Sequence, residues 1–196
     1  MIFTLTGAIM KCCMMFVLLL LSAATSATTL HLPGDIELLV LDGKRISPSL
    51  VRGAEQIELN KGIHQIVLRV ERNLPHGNLR VHYLSAPVIL TFSTGSARHV
   101  SIQPPQINSL AEARYFDEHP GITLTDEPGQ PLPVTQDILP VDNRLPADAI
   151  NYEQLTRQYN LSGKIASQPR FTRATQPSPG VRFSWLRPDR IHQTIQ

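Results

Sequence analysis

QIELNKGIHQIVLRVER (56–72) is the stretch that decides the fold of this chain. Apolar and polar residues alternate on either side of an Asn-Lys-Gly turn at 60–62, which is the pattern of two half-buried β-strands joined at a tight turn. The stretch therefore predicts a β-hairpin. Its second strand is expected to turn an apolar face to the core and a polar face, which includes Gln65 and Arg69, away from it.

Further strands are predicted on both sides of the hairpin. IELLVLDG (36–43) has apolar residues on both faces, which favours a central place in a sheet, and its Asp-Gly pair is a turn signal. PVILTFS (87–93) begins with proline, which cannot donate to a strand ladder and so favours a strand start or a sheet edge. The remaining predicted strands are 29–33, 79–84 and 99–103.

The second half of the chain mixes strands with helices. Ser-Leu-Ala-Glu at 109–112 fits a capping box and predicts a short helix over 109–118. A further hairpin is predicted over 122–139 and a helix around 147–160. Together these elements predict a mainly β (α+β) fold, with a β-sandwich-like N-terminal part, an added hairpin and one or two short helices.

The first 27 residues have the layout of a secretory signal peptide. Lys11 precedes an apolar run at 12–21, and small residues follow at 22–27. The run is shorter than the roughly 20 apolar residues that a membrane span needs. We expect cleavage after Ala27, with a cut after Ala24 or an uncleaved anchor as alternatives, and a periplasmic product. Both cysteines lie in the removed segment, which excludes thiol chemistry from the mature chain.

Charge divides the mature chain into two parts. Residues 28–163 carry eleven Lys and Arg against fifteen Asp and Glu, whereas residues 164–196 carry six against Asp189 alone. We therefore expect a β-rich domain over 28–163 and a basic, proline-containing, disordered tail over 164–196.

The best candidate for a binding site is the loop LDGKRISPSLVRGAEQ (41–56). It joins two predicted strands, and a basic loop on a rigid scaffold is a natural binding element. Its cations are Lys44, Arg45 and Arg52. The alternative is that Asp42 and Glu55 pair with these cations and only fix the loop.

Motifs for catalysis are absent from the sequence. There is no nucleophile elbow and no Gly-rich phosphate loop, and His64, His82 and His99 lack the close spacing of metal ligands. The sequence therefore indicates no enzyme, no cofactor and no metal. The lack of an aromatic–basic motif argues against a nucleic-acid partner.

Two resemblances add to this interpretation. Residues 38–71 are similar to the PEGA type of small β-sandwich repeat, through the Asp-Gly turn and the G-x-H signature at 62–64. Over about 27–171 the chain resembles the YccT-like family of exported bacterial proteins, which contains the curli synthesis inhibitor. The segments that carry this resemblance are ATTLHL (27–32), ELLVLDGKRISPSLVRGAEQIEL (37–59), HQIVLRVE (64–71), EARYFDEHP (112–120), PLPVTQDIL (131–139) and INYEQLTRQYN (150–160).

The family resemblance implies a non-enzymatic modulator. Such a protein would inhibit the assembly of an extracellular curli-type amyloid fibre by contacting a fibre subunit or another secreted β-rich protein. An open sheet edge can block a growing strand template, and the strand at 87–93 is one candidate edge, although its proline also weakens pairing there. The alternative function is a cell-envelope module that binds peptidoglycan or lipopolysaccharide through the basic loop and tail.

Overall fold

The computed structural model describes residues 27–47, 55–142, 146 and 149–172, together with the backbone of 182–184. Within these residues, two β-sheets pack face to face, and a helix covers the outer face of the second sheet. The mainly β, α+β fold predicted from the sequence is confirmed.

Sheet 1 contains six strands. In spatial order they are β10 (Pro131–Leu132), β9 (Thr123–Asp126), β8 (His99–Gln103), β1 (Thr28–His31), β4 (Gln56–Leu59) and β12 (Arg182–Ser184). All neighbours run antiparallel except β1 and β8, which are parallel. The parallel pair places the start of the described chain beside a strand about 70 residues later, because Thr29 is the partner of His99.

Sheet 2 lies on the other side of the core. In spatial order its strands are β11 (Val134–Ile138), β7 (Val88–Ser93), β5 (Ile63–His76), β2 (Ile36–Leu41) and β3 (Lys44–Arg45). The last six residues of β5 leave this sheet and pair with β6 (Leu79–Leu84) to form a two-stranded arm. We call this unit, residues 71–84, the β5–β6 arm.

The main core fills the space between the two sheets. Alternate residues point into it, and Leu30 and Ile57 of sheet 1 meet Leu68 and Leu90 of sheet 2 as fully buried side chains. Burying each such side chain stabilises the fold by about 1.5–3 kcal/mol. Burial of these apolar side chains therefore contributes most of the stability that holds the two sheets together.

Helix α1 (Leu110–Glu118) closes one side of this core. Its N-cap is Ser109, whose Oγ accepts a hydrogen bond from Glu112 N at 3.2 Å, as the capping box predicted. The Glu112 carboxylate accepts from Asn108 N at 2.6 Å, one residue earlier than in the usual capping box. Phe116 is buried in the core while Tyr115 is exposed. The amphipathic face of α1 thus fixes it against the sheets.

Helix α2 (Tyr152–Leu161) covers the outer face of sheet 2, and a 3-10 turn (Pro169–Thr172) follows it. The prediction that the polar face of β5 turns away from the protein interior is therefore wrong, because Gln65 is only 1% exposed and Arg69 only 8% exposed. Both side chains find polar partners on the covering segment. No helix within the described ranges is long and apolar enough to span a membrane.

The predicted hairpin over 56–72 is wrong, although both of its strands exist. β4 belongs to sheet 1 and β5 to sheet 2, so the turn at 60–62 carries the chain from one sheet to the other. Such an arch satisfies the same alternation as a hairpin, because the apolar residues of both strands still face one core. Only the pairing of the two strands distinguishes an arch from a hairpin, and the alternation of apolar and polar residues does not determine that pairing.

Of two expectations about strand position, the one for β7 is corrected and the one for β2 is confirmed. β7 lies between β5 and β11, so it is an interior strand and not a sheet edge. Pro87 precedes β7, and its carbonyl accepts from Leu139 N at 2.8 Å. β2 is an interior strand as predicted, because it pairs with β5 on one side and with the two-residue edge strand β3 on the other. Both of its apolar faces are buried, the first in the main core and the second beneath α2.

Part of the predicted tail is folded. Ala166 is fully buried in the second apolar cluster, under α2, and residues 169–172 form the 3-10 turn. The boundary placed at residue 163 is therefore too early. Residues 173–181 and 185–196 lie outside the described residues, as do residues 1–26, which hold the predicted signal peptide.

Candidate functional site

The structure places two of the three predicted loop cations. Lys44 and Arg45 form β3, where Arg45 is exposed and Lys44 is half-buried. Arg52 lies outside the described residues. The backbone N–H of Arg45 donates to the Glu153 carboxylate of α2 at 3.1 Å. A negative charge thus lies beside Arg45 and weakens the local positive field.

The Asp42 carboxylate is engaged by His64, where one interpretation of the sequence had expected it to pair with the loop cations. Its Oδ2 lies 2.8 Å from His64 Nδ1, and its Oδ1 accepts from Gln65 N at 2.9 Å. His64 Nε2 lies 2.7 Å from the carbonyl oxygen of Asn60. Both ring nitrogens face acceptors, so the doubly protonated, charged ring satisfies both contacts.

The environment of His64 favours that charged form. Burial lowers the pKa of His64, but the hydrogen bond and charge of Asp42, together with the Asn60 carbonyl, outweigh burial and raise its pKa above the usual value. The pair joins the Asp-Gly turn to the G-x-H signature, which are the two features that carry the PEGA resemblance. It fixes the turn that leads into β3, so its role is positional.

A buried amide pair docks α2 on sheet 2. Gln65 Nε2 donates to Asn160 Oδ1 at 2.8 Å, and Asn160 Nδ2 donates to Gln65 Oε1 at 2.7 Å. Gln65 Nε2 also lies 2.8 Å from the carbonyl oxygen of Ala166. Leaving such a buried group without a partner costs about 1–3 kcal/mol, so these contacts specify how the segment after α2 packs.

A cleft of about 560 Å³ opens between the start of β7 and the end of β11. Its size is within the usual range for ligand pockets. Among its lining groups, Arg69 donates to Glu37 Oε2 at 2.6 and 3.1 Å and to the Tyr152 hydroxyl at 3.1 Å. Asp117 Oδ1 accepts from Ala86 N at 2.7 Å. Both charged groups are thus bonded to neighbouring elements and fix the walls of the cleft.

The three histidines considered as metal ligands lie on three different strands. His64 is on β5, His82 on β6 beside Glu71 at 3.6 Å, and His99 on β8 beside Glu127 at 2.6 Å. Among the residues that the structure describes, no group of three or more His, Cys, Asp or Glu side chains could hold a metal ion.

Sheet edges are the remaining candidate for a binding surface. The edge at β3 is two residues long. The edge at β11 is screened, because the Gln136 side chain accepts from Ile122 N at 3.0 Å and donates to Ile122 O at 3.2 Å. β6 is different: it is six residues long and, within the described part of the chain, pairs with a strand on one side only. Such an edge offers free N–H and C=O groups to an extended chain.

The register of the β5–β6 arm shows which groups face outward. Residues 77 and 78 form its turn, and Pro75 is the partner of Arg80. Proline has no N–H, so Pro75 and Arg80 form a non-hydrogen-bonded pair, and the N–H and C=O of Arg80 point to the open edge. By the same alternation, His82 presents its backbone outward. Leu79 is 71% exposed beside these groups.

The sequence predicted β6 with its observed bounds but gave it no role. The signal that was available is the proline at 75 opposite the strand, within a hairpin that ends in a Gly-Asn turn at 77–78. Neither feature reports whether a third strand lies on the other side of β6. That information depends on the tertiary arrangement of the arm.

Comparisons with known proteins place the chain in a family. Residues 29–182 match the family described as "Uncharacterized protein conserved in bacteria (DUF2057)". The UPF0319 protein YccT of Salmonella agona (strain SL483) is 44% identical over 158 residues, which cover 80% of this chain and 70% of the relative. The same protein of Salmonella heidelberg (strain SL476) is also 44% identical, and that of Salmonella schwarzengrund (strain CVM19633) is 43% identical, over the same shares. No solved structure matches the chain. The chain therefore belongs to the DUF2057 family, and it is also similar to the UPF0319 YccT proteins.

Proposed function

We propose that this protein is an exported, non-enzymatic binding protein that restrains the assembly of an extracellular curli-type amyloid fibre. Its partner is a fibre subunit or another secreted β-rich protein in extended form. The proposal extends the resemblance to the curli synthesis inhibitor family. The observation that carries it is the six-residue edge of β6, which no other strand of the described residues covers.

The position of β1 is compatible with the proposed cleavage after Ala27. β1 begins at Thr28, directly after the proposed cut, and the side chain of Thr28 is fully buried. Its Oγ1 donates to the carbonyl of Ala97 at 2.7 Å. A cut at this point leaves every described strand complete. Release into the periplasm then follows from the signal-peptide pattern.

Edge pairing explains how such a protein restrains a fibre. An amyloid fibre grows when an extended segment pairs with the exposed strand at the fibre end. A segment that pairs with β6 instead has its backbone groups satisfied by β6 and is withheld from growth. The exposed Leu79 and Val81 on β6 offer apolar contact to such a segment. The charged Arg80 between them limits pairing of β6 with a second copy of itself, because two such edges would bring like charges together.

Proline substitution tests the β6 edge directly. Arg80→Pro removes an outward N–H but leaves the ladder to β5 intact, because Pro75 and Arg80 exchange no hydrogen bonds. Arg80→Ala is the matched control, since it removes the same charge and keeps the N–H. Growth of a purified curli-type subunit is followed by thioflavin T fluorescence with each variant of the mature protein.

We expect the wild type and Arg80→Ala to delay fibre growth and Arg80→Pro to lose most of that delay. Equal delay by all three proteins would reject β6 as the contact, and no delay by the wild type would reject the function. If Arg80→Pro does not fold, as judged by its thermal transition, His82→Pro provides the same test at the next outward position.

The envelope-binding alternative rests on exposed Arg45 beside Lys44. Glu153 next to Arg45 is an argument against a strong anion site there. Binding to isolated cell-wall sacculi that weakens with added salt would favour this alternative, since screening weakens contacts between exposed charges.

A further inference from the structure

The outer side of β4 is filled by a segment from near the C-terminal end of the chain. β12 runs antiparallel to β4, with Arg182 opposite Glu58 and Ser184 opposite Gln56. On its other side β4 pairs with β1. Without β12, β4 would be an edge strand of sheet 1.

The register shows which groups of β4 hold β12. Leu32 N donates to the carbonyl of Glu55 at 2.8 Å, and Leu30 is the partner of Ile57. In an antiparallel ladder the bonded positions alternate, so residues 55, 57 and 59 bond to β1. Gln56 and Glu58 therefore direct their backbone N–H and C=O groups toward β12. Two residue pairs carry the contact, Gln56 with Ser184 and Glu58 with Arg182.

We propose that β4 is a strand-acceptor edge, which residues 182–184 occupy in the free protein and which an extended segment of another protein takes by displacing them. The contact is short, with three paired residues against six between β5 and β7. β12 also follows every other described element in the sequence, so its departure requires no other strand to move. The site is independent of the β6 edge and of the fibre proposal.

The chemistry of β4 defines the strand that fits. Ile57 is fully buried, and it lies between the half-buried polar residues Gln56 and Glu58. A basic residue opposite Glu58 forms a favourable cross-strand pair, and an apolar residue matches Ile57. The chain's own segment has this order, since Arg182, Phe183 and Ser184 oppose Glu58, Ile57 and Gln56. We expect incoming segments with the same basic–apolar–polar order.

Amide exchange measured by NMR on the full mature chain tests the occupied state. Ser184→Pro removes the N–H that Ser184 donates to β4, and Ser184→Ala is the matched control, since it keeps that N–H. We expect the amides of Gln56 and Glu58 to exchange about tenfold faster or more in Ser184→Pro, with Ser184→Ala unchanged. Equal exchange in the wild type and Ser184→Pro would overturn the proposal. So would a wild-type dimer whose dissociation exposes these amides, because the strand on β4 would then come from a second copy.

A peptide probe tests the acceptor itself. The peptide VRFSWLR, which reproduces residues 181–187, is added to the Ser184→Pro protein with a version that carries Glu in place of the first Arg as its control. We expect the native peptide to restore protection of the Gln56 and Glu58 amides and the control peptide to bind more weakly. Failure of the native peptide to bind Ser184→Pro would overturn the proposal, whatever the result of the fibre assay.

Discussion

Replacing Gly43 with alanine measures how closely the segment after α2 is packed against the β2–β3 turn. Gly43 has φ +78°, and a Cβ at this position would overlap the carbonyl oxygen of Phe171. The left-handed conformation costs a residue with a Cβ about 1–2 kcal/mol. Forcing an extra atom into a packed site costs a further 1–3 kcal/mol or so. We therefore expect Gly43→Ala to lower the free energy of unfolding by about 2–5 kcal/mol.

Gly77→Ala separates these two costs. Gly77 has φ +61° in the turn of the β5–β6 arm, and a Cβ there would meet no atom within 4 Å. We expect Gly77→Ala to lower the free energy of unfolding only by the cost of the left-handed conformation, about 1–2 kcal/mol. Urea denaturation of both variants gives the difference, and amide exchange at 166–171 reports whether the segment has moved. Equal losses in the two variants would refute the close approach of Phe171 to Gly43.

Two further predictions concern the His64 pair and helix α1. Because the folded-state pKa of His64 is raised above 6.5, its contribution to stability is complete below that pH and is lost as the pH rises through the folded-state pKa. Thermal unfolding measured across this pH range should show the stability of the protein falling as the pH rises. Asp42→Asn removes the charged partner of His64 and should make stability depend less on pH. An unchanged pH dependence in Asp42→Asn would contradict the pairing. Phe116→Ala should lower the free energy of unfolding by about 3–5 kcal/mol, because it leaves a cavity in the core. The Tyr115 side chain is 66% exposed, so Tyr115→Ala should change the free energy of unfolding by about 0.5 kcal/mol or less. Chemical denaturation that ranks the two in the opposite order would show that α1 packs through its other face.

Local structure was largely predictable because its causes are local. Apolar alternation located β5 and β6, and the Ser109 cap located the start of α1. The Asp-Gly pair at 42–43 predicted the turn between β2 and β3. Each of these signals depends on a few neighbouring residues, so it can be read without the rest of the chain.

Strand pairing and the covered face were not predictable, because their causes are distant in sequence. Gln65 and Arg69 look like solvent-facing residues until Asn160 and Tyr152, more than 80 positions away, cover them. The alternation in β4 and β5 fits a hairpin and an arch equally well. The candidate site shows the same limit, since the sequence identified exposed Arg45 but not the side of β6 that no other described strand covers.

The central place of β1 in sheet 1 has a consequence for the order of folding. β1 lies between β4 and β8, and its parallel partner β8 begins at residue 99. β1, the first strand of the described residues, therefore stays without one neighbour until residues 99–103 have been synthesised. Contacts between such distant segments slow folding. For a chain exported as proposed, sheet 1 can close only after residues 99–103 have crossed the membrane.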